Sequence, residues 1–331
     1  MALQSVGIIG AGAWGTALGV TARRAGRDVL IWAYEPEVVE DINRRHVNQA
    51  YLPGIALDPA IVATTRLEEA ATRDLLLMVT PAQHVRAVAG KLAPDMRDGQ
   101  PLVICSKGIE QHTGKLLSEV VGDVLPQAQL AVLSGPGFAA EIARGLPGAV
   151  TLATAQEEHG RALSYALSHY PFRCYWSEDV TGAEIGGAVK NVFAIAAGIV
   201  AGKELGQSAH AGIVTRGFAE MTRFAMALGG RRETLAGLSG LGDLVLTCGS
   251  VQSRNMSLGV ALGQGRSLQE VLEARTSVTE GVHTASALVE MAAARGIDMP
   301  IAKAVHAVIS GETSVDEAIE ALLSRPLTAE E

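Results

Sequence analysis

Three observations predict the fold class. Apolar runs alternate with amphipathic helical patterns in the first half of the chain. A glycine-rich turn separates the first run from the first helix, and beyond residue 181 the pattern is almost unbroken helix. Together they predict an α/β N-terminal domain on a mostly parallel sheet, followed by an all-α C-terminal domain. The expected division is 1–180 and 181–331.

The run 6–9 reads as a strand buried on both faces; it stops at Gly10, and a small-residue helical pattern follows over 13–25. Between them stands Gly10-x-Gly12-x-x-Gly15. The first glycine allows the tight turn, the second lets a pyrophosphate approach the backbone, and the third lets helix and strand pack closely. The helix N-terminus then offers unpaired N–H groups and a positive dipole end to phosphates. A lone motif of this kind says little in a chain with 37 glycines. Its place between a strand and a helix, ahead of a second strand-like run at 28–32, favours a dinucleotide site over an ordinary turn, and a Rossmann-type domain.

Further strand-like runs lie at 61–64, 75–79, 102–105, 130–133, 149–152 and 172–176, with helical patterns at 38–45, 84–92 and 116–121. Continuous apolar strands separated by amphipathic helices imply a sheet covered on both faces. Residues 51–55 read as a turn-rich loop. Thr80-Pro81 and Ser134-Gly-Pro-Gly137 fall just past strand ends, where such sheets bind ligands. Helices are then expected at 180–201, 209–227, 254–262, 268–273, 283–295, 300–310 and 314–323, the last with Ser314 and Glu317 as a capping box. The first carries Gly182, Gly186, Gly187, Ala188 and Ala194, so another helix or backbone should pack tightly on it. The tail 327–331 is expected to fray.

Composition narrows the function classes. The 331 residues are 48% hydrophobic but only 4% aromatic, so small aliphatic side chains must do most of the packing. A net charge of −8 without a basic block argues against nucleic-acid or membrane-surface partners. The apolar run 192–202, between Lys190 and Lys203, is too short to span a bilayer. No charged-then-apolar leader precedes the first strand, and three scattered cysteines suit a reducing cytoplasm. The eight histidines show no metal-ligand spacing.

A dinucleotide enzyme without a metal needs a proton donor or acceptor beside the carbon that exchanges hydride. Lys107 follows the strand 102–105 at the cofactor edge of the sheet. Lys190 sits in Gly186-Gly-Ala-Val-Lys-Asn-Val-Phe193 with apolar flanks on every helical face, where burial would lower its pKa toward acid–base use. The competing reading of each is a solvated surface charge. Asp243, in Gly237-Leu-Ser-Gly-Leu-Gly-Asp-Leu244, is a helix N-cap or a site carboxylate. Ser253-Arg254-Asn255 opens a helix and suits an anion, against the alternative of a cap plus a surface arginine. Glu280 is a helix-start residue or a ligand contact.

Taken in order, these stretches resemble the bacterial NAD(P)-dependent glycerol-3-phosphate dehydrogenases over nearly the whole chain. The resemblance is carried by Gly10-Ala-Gly-Ala-Trp-Gly-Thr-Ala17, Tyr51-Leu-Pro-Gly54, Ser106-Lys-Gly-Ile-Glu110, Ser134-Gly-Pro-x-Phe-Ala-x-Glu141 and Lys190-Asn-Val-Phe-Ala-Ile-Ala-Ala-Gly198. It continues through Thr215-Arg-Gly217, Gly237-Leu-x-Gly-Leu-Gly-Asp-Leu244, Ser253-Arg-Asn255 and Glu280-Gly-Val-x-Thr-Ala285. It implies reversible hydride transfer between NAD(P)H and dihydroxyacetone phosphate to give sn-glycerol 3-phosphate for phospholipid synthesis, with no metal. It also implies that Lys190 is the proton acceptor and that Lys107 touches both substrate and cofactor. Gly135, Gly137, Asp243, Ser253, Arg254 and Asn255 fall at its substrate positions. Gly10, Gly12, Ala13, Trp14, Gly15, Tyr34, Ala139, Val278 and Glu280 fall at its cofactor positions, with Arg254 near both ligands. A homodimer is carried as the candidate assembly.

Three departures from the family pattern stand out. Gly137 replaces a usual Ser or Thr, removing a hydroxyl contact to substrate. Tyr34 replaces a frequent Arg or His and cannot neutralise a 2′-phosphate. Ser208 stands where Asn is common. Two rival readings share the plan: a β-hydroxyacid dehydrogenase, disfavoured by the anion site at Ser253-Arg254-Asn255, and a non-catalytic nucleotide sensor, disfavoured by two intact lysines.

Overall fold

The computed structural model describes residues 3–274 and 278–327. The expected frayed tail therefore lies, beyond Leu327, outside the described residues. The strands are β1 (Ser5–Ile9), β2 (Asp28–Trp32), β3 (Val47–Asn48), β4 (Leu52–Ala56), β5 (Val62–Thr64), β6 (Leu75–Met78), β7 (Pro101–Ile104), β8 (Gln129–Ser134), β9 (Gly148–Ala153) and β10 (Phe172–Ser177). Eight of them form one sheet in the order β10-β9-β8-β7-β6-β1-β2-β5. All its pairings are parallel except β8 with β9. The continuous apolar runs are explained by burial on both faces. Leu75 and Leu77 of β6 enter one core with Val6 and Ile8, while Leu76 and Met78 enter the opposite core with Ile9.

The chain leaves β1 for β2 on one side and later adds β6 on the other, so a crevice opens above the carboxyl ends of β1 and β6. Gly10 turns the chain there at φ 120°, a conformation that side chains rarely adopt. A Cβ on Gly15 would lie 1.9 Å from Gly10 O, so helix and strand approach as closely as the motif requires.

The segment 51–55 is not a loop, as the sequence suggested, but mostly strand β4, paired antiparallel with the two-residue β3. Pro53, Gly54 and the brevity of β3 hide it from a periodicity argument. The hairpin supports the glycine turn: Asn48 Nδ2 donates to Ala11 O and Thr16 Oγ1, both at 2.8 Å.

Beyond β10 the described chain is helical, beginning with Val180–Gly202. Taken whole, this helix of 23 residues is long and apolar enough to cross a membrane, unlike the shorter run considered from sequence. Its most apolar window is 89% buried inside the protein, which makes it a core helix. Its small residues admit neighbours: Gly198 and Gly202 face the backbone of the helix Arg254–Gly263, and Gly186 faces the backbone of Ser239. The helix Val315–Leu323 starts with the expected Ser314–Glu317 capping box.

Candidate active site

The carboxyl edge of the sheet collects the cofactor candidates. The helix Ala13–Arg24 begins after Gly12 with no side-chain cap, and nothing lies within 4 Å of where a Gly12 Cβ would sit. Its first N–H groups and dipole thus face open space, a fit for a pyrophosphate. Trp14 Nε1 is buried with no partner among the described residues, as a site awaiting a ligand would show. Tyr34, 77% exposed, lies just past β2. It borders a cavity of about 380 Å³ with Trp32, Thr65, Glu68, Lys91 and Asp95. Ala139 opens the helix Ala139–Arg144.

Gly135 takes φ 150°, and a Cβ there would lie 2.9 Å from Val150 Cα. Its carbonyl accepts from Lys107 Nζ at 3.1 Å. At Gly137 a Cβ would lie 3.1 Å from Trp14 Cη2 and 3.4 Å from Ile142 Cγ1, so the missing side chain faces the Trp14 ring.

The structure brings Lys107, Lys190 and Asp243 together from three distant parts of the chain. Asp243, 1% exposed, is the first residue of the helix Asp243–Cys248; Gly242 holds the N-cap position, so the capping alternative does not apply. Lys107 Nζ donates to Asp243 Oδ2 at 2.6 Å, and Lys190 Nζ donates to Asp243 Oδ1. Lys190 also donates to Thr247 Oγ1 at 2.9 Å, whose own proton goes to Asp243 O at 2.6 Å. These partners occupy two of the three N–H groups on each ammonium. Burial pushes Lys190 down to about 8, with Lys107 adding repulsion and Asp243 opposing both. The amine can therefore exchange a proton near neutral pH.

The third group lies where the helices Arg254–Gly263 and Glu280–Ala294 begin. Ser253 is the N-cap of the first, its Oγ accepting from Met256 N at 3.2 Å. Asn255 is buried and holds internal partners: Nδ2 donates to Asn191 Oδ1 at 2.9 Å, and Oδ1 accepts from Gly281 N at 3.0 Å. Arg254, at the first helical position, is held below its ordinary range by desolvation, with Glu280 opposing. Glu280 Oε1 accepts from Ala82 N at 3.1 Å, while its buried Oε2 has no partner among the described residues. Burial raises its pKa, and the Ala82 N–H and Arg254 oppose that rise. Val278, 38% exposed, precedes it.

Sequence reasoning missed two groups. Thr247 was legible in principle, because four residues from Asp243 puts both on one helix face. Ser134, whose buried Oγ lacks a partner among the described residues and sits where a Gly187 Cβ would reach it at 2.4 Å, is marked in the sequence only as part of a ligand-facing stretch at a strand end, with no role of its own. Among the described residues no group of three His, Cys, Asp or Glu side chains is placed to hold a metal.

Comparison with known proteins identifies the family. The family profiles for the N-terminus and C-terminus of NAD-dependent glycerol-3-phosphate dehydrogenase match residues 5–160 and 179–320. The glycerol-3-phosphate dehydrogenase [NAD(P)+] of Parvibaculum lavamentivorans is 57% identical, covering 100% of this chain and 99% of the relative. That of Caulobacter vibrioides is 56% identical and covers 100% of both chains. The crystal structure of glycerol-3-phosphate dehydrogenase from Coxiella burnetii superposes with a TM-score of 0.93 at 37% identity, over 97% of this chain and 99% of that one. The chain belongs to the NAD-dependent glycerol-3-phosphate dehydrogenase family.

Proposed function

We propose that this protein reversibly reduces dihydroxyacetone phosphate to sn-glycerol 3-phosphate with NAD(P)H, feeding glycerophospholipid synthesis, and that Lys190 is its acid–base group. The observation that carries the assignment of roles is the buried carboxylate of Asp243 shared by Lys107 and Lys190 at the carboxyl edge of the sheet. When bound, the nicotinamide supplies or accepts the hydride. Lys190, fixed by Asp243 and Thr247, gives a proton to the carbonyl oxygen during reduction and takes it back during oxidation. Lys107 orients the substrate from the other side of Asp243. Arg254, at a helix start beside Glu280, holds the phosphate, where a guanidinium fork and the helix dipole act together. Ser253 and Asn255 shape that site mainly by fixing the backbone. The glycine turn, Trp14, Tyr34, Ala139, Val278 and Glu280 contact the cofactor. The division near residue 180 separates cofactor domain from helical domain, and the enzyme works in the cytoplasm, without nucleic-acid or membrane partners, as a homodimer.

The reading is tested by Lys190→Ala, assayed as NADH oxidation with dihydroxyacetone phosphate. Turnover should drop by roughly a hundredfold or more while NADH binding persists. Near-normal turnover would move the acid–base role to Lys107.

A further inference from the structure

The loop that carries Lys107 runs from the end of β7 to the helix Leu117–Val124. Its near end is held within its own domain, where Ser106 Oγ donates to Thr80 O at 2.5 Å. Midway, Arg86 grips Glu110 through two 2.8 Å bonds, and Ile109 bridges to Leu116. The far end is held from the other domain. Glu184, on the long helix and 4% exposed, accepts from Ser118 N at 2.8 Å on Oε1 and from Ser118 Oγ at 2.6 Å on Oε2. One turn further along that helix, at Gly187, a Cβ would lie 3.5 Å from Lys107 Cγ and Cδ. Three residues beyond is Lys190. The same helix therefore meets the Lys107 loop at its end and along the lysine stem, and presents the second lysine to the shared Asp243.

A buried carboxylate is an expensive way to join two elements. Burial pushes Glu184 up to about 7 in spite of the Ser118 and Leu117 donors, with nearby Glu119 contributing to the rise. An apolar contact would hold the surfaces together at lower cost, but without fixing their register. We propose that Glu184 and Ser118 form a clamp across the domain junction that fixes Lys107 relative to Lys190, which makes Glu184 a positioning residue for the reaction. The proposal rests on the reading of Lys190 as the acid–base group.

The readout follows from the charges around Lys190. Those acting on it are Asp243, which favours its ammonium, and Lys107, which disfavours it; the Cys248 thiol lies near as well. If the clamp is released, Lys107 drifts, its repulsion fades, and Asp243 serves Lys190 alone. Both changes raise the pKa of Lys190. Dihydroxyacetone phosphate reduction needs the ammonium, so the alkaline fall in rate should move to higher pH. A loss of structure alone would scale the rate without moving that limb.

The experiment compares wild type, Glu184→Gln and Ser118→Ala, with Glu220→Gln as control. Glu220 is another buried helix-capping carboxylate, accepting from Ile301 N and Ala302 N in the helical domain. kcat/KM for dihydroxyacetone phosphate is measured from pH 6 to 10, alongside NADH affinity by fluorescence and Tm. The clamp variants should lose about tenfold in kcat/KM near neutrality, mostly in kcat, with NADH affinity kept within about twofold. Their alkaline limb should rise by about half a pH unit or more. Glu220→Gln should change Tm and leave the limb in place. If Glu184→Gln fails to fold, Ser118→Ala decides alone. An unmoved limb in the folded clamp variants, or an equal shift in Glu220→Gln, overturns the clamp while leaving Lys190 in its role. A wild-type profile with no alkaline limb, together with an active Lys190→Ala, overturns the acid–base reading itself and the clamp with it.

Discussion

Replacing Asp243 by Asn keeps the shape of the site and removes the charge between the two lysines. The fall of Lys190 from 10.5 to about 8 corresponds to about 3 kcal/mol against the ammonium, already net of the help from Asp243. Losing one partner of a buried ion pair typically costs about 3–5 kcal/mol. Because the site can relax, a further fall of Lys190 by about 2 pH units, to roughly 6, is the expected share. On the proposed role of Lys190, reduction requires the protonated amine. At pH 6 wild type is almost fully protonated and the variant about half, so the deficit is mainly the roughly tenfold expected from a loosened geometry. At pH 8 the protonated fractions become about one half and about 1%, which multiplies that deficit to several hundredfold. The assay is kcat/KM for dihydroxyacetone phosphate across this range, with Tm confirming that the variant folds. A deficit that stays constant from pH 6 to pH 8 would refute the claim that Asp243 sets the protonation of Lys190.

Tyr34 lines a cavity with Glu68, Asp95 and one cation, Lys91, so Tyr34→Arg should raise the NADPH-to-NADH ratio of kcat/KM by about tenfold; an unchanged ratio would remove Tyr34 from coenzyme selection. The structure revises the expectation at Gly137: because its Cβ would press on Trp14, Gly137→Ser should weaken NADH affinity more than it improves KM for the substrate, as fluorescence titration and kinetics would show. Arg254→Lys should be clearly impaired and Arg254→Ala worse, by about 2–5 kcal/mol in transition-state binding. The loss should be much smaller with unphosphorylated dihydroxyacetone, and equal losses on both substrates would take Arg254 out of the phosphate site. Burial raises the Glu220 pKa to about 7, so its proton stabilises the fold below about pH 4.5 and that contribution is lost as pH rises toward 7. Glu220→Gln should flatten this part of the stability–pH curve by up to about 3 kcal/mol, measured by denaturant unfolding.

The α/β half was legible because its strands are buried on both faces. Leu75, Leu76, Leu77 and Met78 form an uninterrupted apolar run only because each face of the sheet has its own core. The same physics concealed the β3–β4 hairpin, whose residues Pro53, Gly54 and Ala56 are exposed and follow no period. The glycine turn was legible as a motif, but its prop was not. Asn48 reaches Ala11 and Thr16 across more than 30 residues of sequence, and nothing local to Asn48 marks it. Lys190 could be singled out because an amine inside an apolar helix is anomalous. Asp243 could be singled out too, but as a cap or a site carboxylate alike, and its pairing with Lys190 is visible only once the fold closes.

The charge count at that closure suggests what a second lysine adds on the proposed roles. One ammonium on Asp243 would make a neutral buried pair, with no field for an anionic substrate. Two ammoniums on one carboxylate leave the cluster with a net positive charge, and with an N–H on each lysine not spent on the partners described. Burial is the main cause that depresses the pKa of Lys190, and the neighbouring Lys107 adds to it while Asp243 opposes both. On the proposed roles, the oxyanion that develops during reduction is met by the N–H groups these lysines have left, while Arg254 takes the phosphate. The proton that Lys190 passes, on the same roles, is one that burial has already made easier to release. The glycines serve the same end. Gly135 offers its carbonyl to Lys107, and Gly187 leaves room for Ser134 Oγ, with the stem of that lysine in contact alongside. A side chain at Gly135 would press on Val150 and one at Gly187 on Ser134, so either substitution would disturb the walls against which Lys107 is held.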